Sequence, residues 1–153
     1  MSDDDHPVIR ALRETGTLQP RDLNYLLKHG RSYEGTPLPP GTETWGPGKC
    51  VVASQVLKER HGWKIVTGWA LLPPSVTDLA VPIWHRWNSR DDEHALDGVF
   101  PDPERSSYFG LGAGHGARMI EMLGGPRPSG RRSILTGLEP GAFARRLERS
   151  FRL

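Results

Sequence analysis

One cysteine in 153 residues leaves no partner for an internal disulfide, so no oxidised framework points to export. Long apolar runs are missing too: no stretch approaches the roughly 20 residues that span a bilayer. The first residues, Met1, Ser2 and Asp3 to Asp5, are polar and acidic, without the basic and apolar regions of a secretory leader. These absences lead us to expect a cytoplasmic protein with no membrane partner. The six histidines, at 6, 29, 61, 85, 94 and 115, offer no pair at metal-ligand spacing beside a carboxylate or a second cysteine. No metal and no cofactor is expected, and no internal repeat is present.

The chain is long enough for one compact domain with a core of its own. We divide it into N-terminal helices and a loop (1–44), a core that carries the chemistry (45–112) and a Gly/Arg-rich extension (113–153). Charge is uneven along it. Residues 118–153 hold eight arginines and three glutamates, a net of +5, against −3 for the first 117 residues. Such a segment is either a solvated helix face or a surface for an acidic partner or nucleic acid.

Helical spacing predicts helices over 6–14 and 20–29, the second with Pro20 in its first turn and Gly30 as its stop. Residues 31–49 are rich in proline and glycine and read as a loop. A third helix is predicted over 50–60, with an apolar stripe of Val52, Ala53, Val56 and Leu57 and with His61-Gly62 as its end. Strands are predicted over 63–72, 81–89 and 94–100, the last two as a hairpin about Arg90 to Glu93, and over 108–111. Helices are also expected over 112–123 and, rich in arginine, over 140–152, with a loop at 124–133. The order predicts an α+β fold: a central helix bearing the cysteine, packed on an antiparallel β-sheet, with flanking N- and C-terminal helices.

Cys50 opens the third helix. A thiol reacts as the thiolate, so its ordinary pKa of about 8.5 has to fall for it to serve as a nucleophile. A helix N-terminus helps through its free N–H groups and dipole, an imidazolium helps as an ion-pair partner, and a third group can orient that imidazole. His85 and Asp97 are the candidates for the last two roles. On 81–88 the period of two puts His85 on one face with Val81, Ile83 and Trp87, and Asp97 lies with Ala95 and Val99. A hairpin turning at 90–93 brings those faces together. Asn88 and His94 are the weaker candidates for orienting group and base, because they lie on the opposite faces. A zinc site from His85, His94 and Asp97 is the weaker reading of the same hairpin. Taken singly, each residue also has an ordinary role: a small buried thiol, a packed histidine, a turn aspartate.

Cys50, His85 and Asp97 in this order resemble the transglutaminase-like branch of the papain-like superfamily. His85-Arg86-Trp87 is similar to the His-Ala-Trp around that family's histidine, and Gly68-Trp69-Ala70 to the strand that precedes it. Asp97-Gly98-Val99-Phe100 with Tyr108-Phe109-Gly110 is similar to compact bacterial and phage-encoded members. The resemblance covers 45–112. It departs from the family where Gly98 follows Asp97, and where Thr44 and Trp45 stand in place of the glutamine that supplies an oxyanion donor. Trp45 and Gln19 are weak substitutes for that donor.

The resemblance implies a papain-like fold and a cysteine-dependent acyl-transfer enzyme, a hydrolase or an amine acyltransferase. Its substrate would be a small-molecule or peptide amide, ester or thioester, held by Cys50 as a covalent acyl-enzyme with His85 and Asp97. Trp45, Trp69, Trp84 and Trp87 are the candidates for an apolar substrate slot. The Gly-rich run 110–117 reads as a loop or lid rather than a phosphate cradle, since no βαβ unit accompanies it. The alternative is a non-catalytic interaction module on the same fold, whose basic C-terminal segment binds an acidic partner or nucleic acid.

Overall fold

In the computed structural model, residues 3–73 and 81–115 are described. The predicted elements over 116–153, the C-terminal helix and basic segment among them, lie outside that range. Helix α1 spans Pro7–Thr15. It starts where the His6 ring accepts the Val8 N–H and stops at Gly16, whose φ of 63° is left-handed. Helix α2 spans Pro20–His29, strand β1 Arg31–Thr36 and helix α3 Cys50–His61. Strands β2 (Lys64–Leu71), β3 (Ile83–Ser89), β4 (His94–Leu96) and β5 (Ser107–Leu111) follow. No helix among the described residues is long and apolar enough to cross a membrane.

The five strands close into a barrel in the order β1-β4-β3-β2-β5. This corrects the expected architecture of a central helix on an open antiparallel sheet. The difference arises at 31–36, which reads as loop but is the strand that joins the two ends of the sheet. β1 pairs antiparallel with β5 and parallel with β4. Only Tyr33 supplies a large inward side chain there. The other buried position is Gly35, where a Cβ would run into the Pro103 carbonyl. The close approach that selects glycine also erases the strand's apolar signature.

Inside the barrel, Val66, Ala70, Ile83, Trp87 and Tyr108 form the core with Tyr33, Ala95 and Phe100. Trp87 is accommodated by Gly110: a Cβ there would sit 2.8 Å from Trp87 Cη2. Outside, α1 and α2 cover Trp69, Phe109 and Leu111 on β2 and β5. α3 lies over β3, where Asn88 Nδ2 donates to the Ser54 carbonyl at 2.9 Å. That contact turns Ala53, Ser54 and Leu57 inward, and the expected stripe is displaced: Val52 is exposed and Val56 half-buried.

Candidate active site

β3 carries His85 on the inner face, between Ile83 and Trp87, as the period of two predicts. Its register with β2 places His85 opposite Gly68, and that side of the strand is fully paired. On the other side, β4 pairs only through Asn88 with Leu96. The chain leaves the strand there because Asp97 Oδ1 accepts the N–H groups of Val99 and Phe100 at 2.9 and 3.1 Å. The predicted strand 94–100 is therefore a strand of three residues and an aspartate-capped turn.

That turn aims the remaining carboxylate oxygen into the barrel mouth. Asp97 Oδ2 meets His85 Nε2 at 2.8 Å and accepts the Tyr108 hydroxyl at 2.8 Å. Both rings of the pair's surroundings are fixed: the imidazole stacks on Phe100 with centroids 3.8 Å apart and planes within 5°. His85 and Asp97 are almost completely buried, at 1% and 2% exposure. With Nε2 taken, Nδ1 is the ring nitrogen that remains, and Cys50 is near enough to favour the charged form of the ring.

Cys50 itself is half-buried at the start of α3. The loop before it is pinned to the aspartate turn: the Trp45 N–H donates to the Gly98 carbonyl at 2.8 Å, and the Trp45 ring rests on Gly98. A Cβ at Gly98 would stand 3.1 Å from Leu57 and 3.4 Å from that ring, so glycine lets helix, loop and turn meet. Cys50, Val51 and Val52 occupy the first turn of α3, whose N–H groups have no intrahelical acceptor. Free N–H groups at a helix start favour negative charge nearby, such as charge on the Cys50 sulfur.

The electrostatics favour an ion pair. Burial alone drives the His85 imidazole toward its neutral form, but the Asp97 carboxylate beside it, helped by Cys50, pushes its pKa up to about 10. Burial likewise works against the Asp97 carboxylate, and the His85 charge with the hydrogen bonds from His85, Val99 and Tyr108 holds it below its ordinary value. Burial, reinforced by the Asp97 charge, raises Tyr108, which stays a hydroxyl donor.

These shifts fix a sign for stability against pH. Asp97's contribution is complete above 3.8 and is lost as pH falls through its lowered folded value. His85's is complete below 6.5 and is lost as pH rises through about 10. The urea midpoint is expected to fall from about pH 7 to about pH 10 more steeply in the wild-type chain than in a His85→Gln variant. Parallel slopes would mean that the folded protein holds His85 neutral.

The remaining sequence candidates fall elsewhere. The Asn88 amide group donates to the Ser54 carbonyl of α3 and to the Trp63 carbonyl just after it. His94 is outside the barrel, with Nδ1 2.6 Å from Asp91 Oδ2, so it cannot join His85 and Asp97 around a zinc ion. Asp91, Glu93 and His94 do cluster at the surface, but Asp91 Oδ1 is used by the turn, accepting the N–H groups of Glu93 and His94. Gln19 precedes α2 as its N-cap. Trp69 and Trp87 are fully buried, on the outer and inner faces of the barrel, and offer a substrate no surface. Trp84 is half-buried against the α1 and α2 cluster, and Trp45 against Leu57, Trp63 and Leu96. Val51 and Val52, next to Cys50, are the exposed apolar groups at the site, 47% and 52% accessible. The Gly-rich run begins with a 3-10 turn, Ala113–His115, where His115 Nδ1 lies 2.8 Å from the Tyr25 hydroxyl.

Two site residues escape a reading of the sequence. Tyr108 was legible as part of a strand and of the Tyr108-Phe109-Gly110 motif, and its hydroxyl emerges as the second partner of Asp97 Oδ2. Arg86 was read only as a spacer between His85 and Trp87. Compared with models of known families, with curated proteins and with solved structures, the chain matches none. The resemblance to transglutaminase-like enzymes therefore rests on the residues quoted for it.

Proposed function

We propose that the chain is a cysteine-dependent acyl-transfer enzyme. The observation that carries the reading is the buried His85–Asp97 pair, with the thiol at the start of a helix acting on its imidazole. A histidine kept only for packing has no need of a carboxylate held by three further donors, nor of a sulfur on its other side.

In the proposed reaction the Cys50 sulfur attacks a carbonyl carbon, and an S–C bond forms. The C–N, C–O or C–S bond to the leaving group breaks, and His85 gives its Nδ1 proton to the departing amine, alcohol or thiol. Water then attacks the thioester, His85 takes a proton from it, and the S–C bond breaks to release the acid and the thiol. An amine in place of water gives transfer instead of hydrolysis. Asp97 remains ionised throughout and orients the ring, and Tyr108 orients Asp97.

The test is a burst experiment. Mixed with 4-nitrophenyl acetate, the protein is expected to release about one nitrophenolate per chain before steady turnover, with the acetyl group found on Cys50 by mass spectrometry. Release without acetyl on Cys50 would sink the reading.

A further inference from the structure

The outer face of β3 carries Trp84, Arg86 and Asn88, since Ile83, His85 and Trp87 face inward. Asn88 fixes the position of α3 on this face through the Ser54 carbonyl. Cys50 lies one helical turn before Ser54, about 6 Å along the axis. Arg86 lies two residues before Asn88, about 6.6 Å along the strand. The two displacements match and run the same way, because α3 ends just before Lys64, which pairs with Ser89 at the far end of β3. Arg86 therefore stands beside the sulfur, on the side away from the barrel interior.

Its own bonding is incomplete. The Arg86 Nε is buried with no hydrogen-bond partner, and no carboxylate among the described residues pairs with the guanidinium. Burial works against its charge, and Cys50 is the ionisable group that favours it. A desolvated, unpaired guanidinium edge is costly, and a planar anion is the partner its geometry matches. Asp97 cannot serve, because its oxygens are committed to His85, Tyr108, Val99 and Phe100.

We propose that Arg86 is a specificity residue that receives a carboxylate of the acyl substrate beside Cys50, so that the enzyme selects acidic acyl donors. The proposal rests on Cys50 being the nucleophile argued above. Neutral donors would still react, more slowly, through the apolar rim of Val51 and Val52. The basic guanidinium adds binding energy only for a substrate that brings its own negative charge within reach of it.

Two alkylating agents of nearly equal size test it. Iodoacetate carries a carboxylate and iodoacetamide does not. For the wild-type protein, the ratio of iodoacetate to iodoacetamide rates at Cys50 is expected to exceed that of free N-acetylcysteine about tenfold at low salt. Arg86→Gln should bring the ratio down to the free-thiol value, with the iodoacetate rate falling more than the iodoacetamide rate. An unchanged ratio in Arg86→Gln overturns the proposal. So does an equal fall with both reagents, which would assign Arg86 to the sulfur rather than to the substrate. Should Arg86→Gln fail to fold, the wild-type chain still decides: raising salt from about 20 to about 500 mM must shrink the ratio, and a ratio at or below the free-thiol value overturns the proposal. Failure of the nucleophile reading would look different, as an iodoacetamide rate indifferent to His85.

Discussion

Replacing His85 by glutamine is expected to lower turnover of 4-nitrophenyl acetate about 10²- to 10⁴-fold, while slowing alkylation of Cys50 by iodoacetamide at pH 6 only about tenfold. The two numbers come from different parts of one mechanism. Alkylation depends on the thiolate, which an imidazolium beside the sulfur favours, and the gain is blunted because a less basic sulfur is a poorer nucleophile. Alkylation needs nothing more. Acyl turnover needs a proton delivered to the leaving group and another taken from water, and glutamine supplies neither. Glutamine also occupies much of the space against Phe100, so loss of fold, checked by circular dichroism, is separable from loss of chemistry. Equal, small effects on both reactions would mean that His85 assists ionisation but no proton transfer.

Asp97→Ala is expected to lower stability by about 3–5 kcal/mol in urea unfolding, a large share of the total for a domain of this size. The carboxylate has two occupations. Oδ2 balances a buried imidazolium and accepts from Tyr108, and Oδ1 caps the turn that ends β4. Alanine leaves a buried charge, a buried hydroxyl and two N–H groups unpaired at once. Asp97→Asn keeps an oxygen for the turn, and its smaller expected cost, about 1–2 kcal/mol, isolates the charge from the cap. Cys50→Ala, at the half-exposed helix start, should change stability by less than about 1 kcal/mol. A loss below about 1 kcal/mol for Asp97→Ala would show that the turn holds without its carboxylate.

The contrast between these residues explains what could be read from the chain alone. Cys50 at a helix start and His85 on an inward face follow from local rules, and both were legible. So were α1, α2 and β2, whose ends carry proline, glycine and β-branched signals. β1 was hidden because a strand that passes close to Pro103 has to use glycine. The tryptophans misled for a related reason. Closing a sheet into a barrel and covering its outside with helices buries both faces, so β2 is buried from Val66 to Ala70 without alternation. Trp69 and Trp87 then belong to two different cores, a distinction that only the closure makes. Arg86 carries no local signal; its significance depends on where α3 lies.

The turn at Asp97 has a bearing on descent. A chain of this kind released from selection for its chemistry would be free to lose Cys50 early, since nothing structural depends on it. Asp97 would be retained, with Tyr108 and a hydrogen-bonding group at 85, because the barrel mouth is built on them. Among descendants, then, preservation of the aspartate would report on folding, and only the cysteine on whether the proposed chemistry is still in use.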